Sequence, residues 1–196
     1  MKRFFRFILS SLFLVFVWPF FLYRCYGNKK LRVHGKTIII SNHYSNFDAY
    51  FIYLKFGYAK IRFVTITGVK KNPITRFITW LFDCLYIDYE TTNLEFFKQC
   101  IKVLNDGGVI CIYPEGAVNP AKFGFFDFQK SFVYFARKTG ADILPVYAYP
   151  DLRPFKITKL YIGDIYKPRD YEEYEDLYEA ATFFQCKVIE YSNLVN

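Results

Sequence analysis

The apolar positions of this chain fall into short blocks of two different periods. Residues 37–41 (TIIIS) form a β-branched run of the buried-strand type, and residues 62–67 (RFVTIT) alternate as a strand does. Residues 109–113 (VICIY), 143–149 and 157–165 read as further strands, with a short one at 84–87. Between them the period changes to that of a helix. Residues 47–56 carry apolar side chains at helical spacing, and Asn72-Pro73 is a cap followed by proline, opening a helix that runs to about 82. Thr92-Asn93-Leu94-Glu95 reads as a capping box for a helix with apolar face Leu94, Phe97, Ile101 and Leu104, closed by Gly107-Gly108. Residues 128–138 place Phe128, Phe132, Phe135 and Ala136 on one helical face, and an acid-rich amphipathic helix is expected at the C-terminus. Strands alternating with helices predict an α/β fold: a single domain with a central, mostly parallel sheet flanked by helices. Pro145 reads either as the mark of an edge or bulged strand or as part of a site.

The first 25 residues, MKRFFRFILSSLFLVFVWPFFLYRC, break this rhythm. Their apolar run, 7–23, would span about 25 Å as a helix, against a hydrocarbon core of ~30 Å. Lys2, Arg3 and Arg6 precede it and Arg24, Lys29, Lys30 and Arg32 follow, so flanking charge sets no orientation. Bulky residues stand where a signal peptidase would need small ones. The expectation is an N-terminal hydrophobic membrane helix over residues 1–26, spanning marginally or lying in the interface, followed by one folded domain over 27–196.

Charge sharpens the picture. The net charge is +8, and it is uneven: residues 1–169 carry 25 Lys/Arg against 11 Asp/Glu, while 170–179 (DYEEYEDLYE) hold only acids. A basic body is drawn to polyanions. The apolar N-terminus favours an anionic membrane surface as partner, and no nucleic-acid-binding motif is present, so nucleic acid is not expected. Cys25, Cys84, Cys100, Cys111 and Cys186 are odd in number and lack a C-x-x-C pair; they read as reduced core thiols, with no metal site and no disulfide frame.

In a parallel sheet, sites gather at the loops past the strands' carboxyl ends. Two such loops carry chemistry. In SNHYSNFD the strand 37–41 leads straight to His43, and Asp48 follows near the start of a helix. A turn of that length can fold the carboxylate back onto one imidazole nitrogen, fixing the tautomer and leaving the other nitrogen as a general base; the alternative is a turn histidine followed by an ordinary N-cap aspartate. Asn42 and Ser45 are placed to brace the turn. The second loop, YPEGAVNP, carries Glu115 to the mouth of the sheet, with Gly116 allowing close approach to the backbone.

NHYSNFD, YPEG and FQKSFVYFARKTGADILPVY together resemble the glycerolipid (lysophosphatidic acid-type) acyltransferase family over about residues 31–165. The first motif, N-H-x-S-x-x-D, is matched at every fixed position, and Leu144-Pro145-Val146 is similar to the family's final strand. The resemblance implies an acyl transfer in which His43 is the base and Asp48 orients it. The donor would be an acyl-CoA or acyl carrier protein thioester and the acceptor a membrane lipid hydroxyl. It implies no cofactor and no metal, and a membrane-associated enzyme with its site on the cytoplasmic side. Asn42, Ser45, Glu115, Gly116, Lys122 and Lys130 are the candidate substrate-binding residues. The sequence departs from the family in three cations: Val118 stands where the family's E-G-T-R has Arg, with Ala117 for its Thr, and Ile66 and Tyr89 align with a further Lys and Arg. Lys70, Lys71, Arg76, Lys122 and Lys130 are the candidate replacements. An acceptor without the usual phosphate, such as an amino-acid lipid, another lysolipid or a glycan, is the alternative, and a non-catalytic lipid-binding relative is the other.

Overall fold

The computed structural model describes residues 8, 9, 12, 22–88, 93–119, 124–149 and 157–195. Seven strands form one sheet: β1 (Leu22–Gly27), β2 (Thr37–Ser41), β3 (Arg62–Ile66), β4 (Leu85–Ile87), β5 (Val109–Ile112), β6 (Asp142–Tyr149) and β7 (Ile157–Ile162). Their spatial order is β1-β7-β6-β2-β5-β3-β4. Every neighbouring pair is parallel except β6 with β7. The helices are α1 (Asp48–Phe56), α2 (Pro73–Leu81), α3 (Leu94–Asn105), α4 (Ser131–Thr139) and α5 (Leu177–Asn193).

The isoleucines of β2 show why the sheet is covered on both faces. Ile38 and Ile40 point into one core with Phe96, Cys100 and Leu104 of α3, Phe132 and Phe135 of α4, and Phe184 and Val188 of α5. Ile39 points the other way, into a second core with Phe51, Ile52 and Phe56 of α1 and with Leu144, Val146 and Leu160. A strand buried on both faces reads as a continuous apolar run, and β2 is buried at all five positions.

The packing corrects three expectations and decides a fourth. The N-terminal element 1–26 does not stay helical to its end, because Leu22–Gly27 pairs as a strand with Ile157–Ile162. Most of the expected anchor lies outside the described residues, and among those described no helix is long and apolar enough to cross a membrane. Second, of the edge or bulge expected at Pro145 the structure has the bulge, since β6 lies between β7 and β2. Pro145 is accommodated by an interruption in the ladder to β7. Between the pairs Val146↔Ile162 and Ile143↔Tyr166, Leu144 and Pro145 face Gly163, Asp164 and Ile165. The Pro145 carbonyl still accepts from Gly163 N at 3.1 Å.

Third, the buried stripe of α3 is Phe96, Cys100 and Leu104, while Leu94 is 59% exposed and Phe97 and Ile101 are only partly buried. Both Phe96 and Phe97 pack against Phe135, so α4 pulls the apolar stripe round by about one residue. Fourth, Asn93 occupies the N-cap of α3 without capping it: its side chain accepts from Asp88 N at 2.9 Å. Thr92, which the expected capping box pairs with Glu95 as the cap, lies outside the described residues. Asn72, by contrast, caps α2 as expected, accepting from Ile74 N at 2.9 Å.

The pairing of β1 is open to a direct test. Gly27 has φ +65°, and a Cβ there would stand against the Ile162 carbonyl oxygen and 2.6 Å from the Tyr161 ring. Gly27→Ala is therefore expected to lower stability by about 2–3 kcal/mol, from backbone strain plus the clash. Chemical denaturation of the two proteins measures this. An unchanged midpoint would mean that residues 22–27 are not held against β7.

Candidate active site

Adjacent parallel strands end at the same edge of a sheet. β2 and β5 lie side by side with Ile40 opposite Ile112, so the loops that follow them meet. The first residue past β2 secures the meeting. Asn42 is fully buried, and its amide donates to Ala148 O at 2.8 Å and accepts from Ala148 N at 2.8 Å. Those two bonds continue the seam between β2 and β6 beyond its last backbone pair, Ser41↔Val146.

His43 follows and is held by its backbone as well as its ring. Its N–H donates to Glu115 Oε1 at 2.8 Å, and its carbonyl accepts from Asn119 N at 2.6 Å. Glu115 Oε2 accepts from Phe126 N at 2.9 Å, so one carboxylate ties together three stretches of chain. Burial pushes the Glu115 carboxyl above its ordinary range, and the hydrogen bonds from Phe126 and His43 oppose that rise. The imidazole lies flat on the Tyr113 ring, with centroids 4.0 Å apart and planes at 13°.

Asp48 is the first residue of α1, while Phe47 takes the cap position. A carboxylate there is favoured by the helix's positive end. Its Oδ2 accepts from Tyr44 N at 2.8 Å and from Ser45 N at 2.9 Å, and lies 3.2 Å from His43 Nδ1. Oδ1 is buried, with no hydrogen-bond partner among the described residues. Burial raises the Asp48 carboxyl, against the pull of its bonds to His43, Ser45 and Tyr44. With Nδ1 facing a carboxylate, the proton of the neutral ring sits on Nδ1 and the Nε2 lone pair is free to act as a base. The His43 side chain is 17% exposed, and no described residue bonds Nε2.

Beyond Glu115 an open-sided groove of about 650 Å³ runs past Gly116 and Ala117 to Gln129, Lys130 and Tyr178. Its other walls are largely apolar, with Ile87, Phe97, Tyr134 and Leu177. Lys130 is the one cation among the described lining residues, and its Nζ lies over the Tyr178 ring at 4.1 Å. His43 does not line this groove; the Glu115 carboxylate connects the two.

The residues singled out from the sequence divide clearly. His43, Asp48, Glu115 and Gly116 come together, with Gly116 exposed at φ +72° where the chain turns out of β5. Asn42 and Ser45 act as braces: Asn42 holds Ala148, and the Ser45 hydroxyl accepts from Phe47 N at 3.2 Å. Lys130 stands at the groove, whereas Lys70, Lys71 and Arg76 do not line it. Lys122 and Tyr89 lie outside the described residues. Tyr113, Asn119 and Phe126 were not anticipated. Tyr113 stood in plain view beside Pro114-Glu115, but its stacking on His43 needs the β2–β5 pairing to be known.

A family model described as Acyltransferase matches residues 23–149, from β1 to the end of β6. No curated relative matches the sequence. Among solved structures, the chain is similar to the crystal structure of the 1-acyl-sn-glycerophosphate (LPA) acyltransferase PlsC from Thermotoga maritima. The TM-score is 0.67 at 21% identity, over 90% of this chain and 75% of that one. At that identity the likeness is one of fold.

The two buried carboxylates separate activity from stability. A carboxyl whose folded-state pKa is raised contributes stability below its unfolded value, and loses it as pH rises through the folded value. Ionised Asp48 therefore opposes folding near pH 7. Asp48→Asn keeps the shape without the charge. It is expected to hold or raise the melting temperature near pH 7, the difference shrinking toward about pH 4, while activity falls roughly 10³–10⁴-fold. Melting curves at both pH values, with initial rates, check this; a large loss of stability near pH 7 would contradict it. Glu115→Gln should behave differently. A Gln offers one acceptor where two N–H groups converge, leaving one buried N–H unpaired at a cost of about 1–3 kcal/mol. Stability and rate should fall together, read by denaturation and kinetics on the same preparation.

Proposed function

Since the chain belongs to the acyltransferase family, we propose that it is an O-acyltransferase acting on a lysophospholipid-type hydroxyl, with a fatty acyl thioester as donor. The observation that carries this reading is the His43–Asp48 pair on an immobilised loop, with Nε2 unengaged. Nε2 takes the proton from the acceptor hydroxyl as its oxygen attacks the thioester carbonyl. Asp48, 3.2 Å from Nδ1, stabilises the imidazolium that forms. The tetrahedral intermediate collapses by breaking the carbon–sulfur bond, and the thiolate leaves with the proton returned from His43. The products are an ester and a free thiol, of coenzyme A or acyl carrier protein. General-base catalysis supplies roughly 10²–10⁴-fold, and positioning of the two substrates must supply much of the rest. The enzyme works at a membrane, where such acceptors reside, with the site on the cytoplasmic side that holds its thioester donors.

Val118 favours a second reading of the acceptor. A phosphate monoester carries about two negative charges and calls for charge-assisted partners. Beside Glu115–Ala117, Lys130 is the one cation among the described residues of the groove. An acceptor with a phosphodiester, or with no phosphate, fits that supply better than a lysophosphatidic acid does.

Transfer of labelled acyl groups from acyl-CoA and from acyl carrier protein to a panel of lysolipids tests both points. His43→Ala is expected to lower every rate at least about 10²-fold. Val118→Arg is expected to shift preference toward lysophosphatidic acid by about tenfold, the value of one charge-assisted contact. Absence of His43-dependent transfer to any acceptor would overturn the enzymatic reading. A wild-type preference for lysophosphatidic acid would overturn the reading of Val118.

A further inference from the structure

Helix α2 is built inside out. Its threonines face the protein: Tyr86 of β4 donates to Thr79 Oγ1 at 2.8 Å, and Thr75 Oγ1 donates to Val69 O, in the turn before the helix, at 2.5 Å. Leu81 is its one buried residue. Its apolar side faces out: Ile74 is 68% exposed, Phe77 48% and Trp80 42%, with the two aromatic rings 5.9 Å apart. Ile66, at the end of β3, adds a further exposed apolar side chain at 44%. A helix normally buries its apolar stripe against the core, and a contiguous exposed patch of this kind marks an interaction surface.

The surrounding charge says what meets it. Between Asp48 and Asp83 the chain carries Lys55, Lys60, Arg62, Lys70, Lys71 and Arg76 and no acid. Lys70 and Lys71 lie in the turn Thr67–Lys71 that enters α2, and Arg76 lies on α2 itself; all three are exposed. Large apolar and aromatic side chains ringed by cations complement an anionic bilayer, whose headgroups take the cations and whose acyl region takes the apolar stripe. A protein partner of ordinary composition has no reason to be uniformly acidic around such a patch. Topology adds a further reason. β3 is parallel to β5, as β2 is, so the turn 67–71 leaves the sheet at the same edge as the loops of His43 and Glu115.

We propose that α2 and the turn before it form a membrane-docking surface that seats the exposed Ile74, Phe77 and Trp80 in an anionic lipid bilayer, bringing the His43 edge of the sheet to the lipid. The surface is formed by residues other than the apolar N-terminal run, and it holds whatever the acceptor is.

Trp18 and Trp80 are the only tryptophans, so Trp18→Phe leaves Trp80 as the sole indole emitter. The full chain carrying that change is mixed with phosphatidylglycerol vesicles whose acyl chains carry bromine, and with brominated phosphatidylcholine vesicles. The expected result is a blue shift and quenching of Trp80 in the anionic vesicles. Lys70→Gln, Lys71→Gln and Arg76→Gln should each weaken the phosphatidylglycerol response about fivefold. His43-dependent acyl transfer by these variants in detergent micelles should stay within about twofold, because none of the three lines the groove. Protein that pellets with vesicles while Trp80 stays unquenched overturns the proposal and assigns binding to the N-terminal run. Equal quenching in both lipids, unaffected by the Lys and Arg changes, overturns the electrostatic part. Trp80 emission that is already blue-shifted without lipid, in a protein that sediments as a dimer, assigns the surface to a second copy of the chain. Loss of transfer in micelles by His43→Ala is read separately, so the docking surface and the acyltransfer reading fail independently.

Discussion

The Glu115 carboxylate is the contact on which the site depends. It is buried, and an unpaired buried carboxylate would cost several kcal/mol. Two backbone N–H groups offset this, each charge-assisted bond contributing about 1.5–3 kcal/mol; Phe126 supplies one from the same stretch after β5, and His43 supplies the other only if the loops after β2 and β5 are side by side. The parallel pairing of those strands is thus what allows a charge at this position. In return the carboxylate fixes the peptide of His43, whose ring is then set by two further constraints: the Tyr113 face beneath it and the Asp48 oxygen beside it. Asp48 is fixed in its turn by Tyr44 and Ser45 N–H groups from the same turn, so the imidazole cannot rotate without losing an immobilised partner and its stacking on Tyr113.

What the sequence revealed, it revealed through local constraints. The His43–Asp48 contact lies within six residues, so turn geometry alone brings the groups together, and the β-branched run before it fixes where the turn begins. Asn72-Pro73 likewise specified the start of α2 without outside help. What stayed hidden depended on neighbours distant in the chain. The face of α3 is decided by Phe135 of α4, which takes both Phe96 and Phe97. Pro145 suggested an edge because a proline breaks a ladder; a ladder that skips Pro145 on one side, while Gly163 N still reaches its carbonyl, is a tertiary answer to the same problem. Residues 22–27 read as the tail of an apolar run because nothing local announces β7 as their partner.

Helix α2 shows the limit of periodicity in another way. Its pattern is strongly amphipathic, and periodicity says that one face is buried without saying against what. The threonines decide it. Tyr86 of β4 donates to Thr79 and Thr75 donates to the turn before the helix, so the threonines pack inward, while Ile74, Phe77 and Trp80 stay exposed.

On the proposed reading, the single cation among the described groove residues and the charge around α2 are parts of one arrangement. A soluble enzyme must capture an anionic substrate with cations inside its pocket. An enzyme seated on a bilayer meets an acceptor already concentrated in two dimensions, and its long-range field acts on the whole anionic surface rather than on one headgroup. On the proposed reading, Lys70, Lys71 and Arg76 hold the protein to its supply of acceptor. The pocket itself has only to bring a hydroxyl to Nε2 of His43 in the right orientation. Lys130, over the Tyr178 ring, gives that headgroup one fixed cation. On that reading the site tolerates Val118, because selection among anionic lipids rests with the surface that presents them.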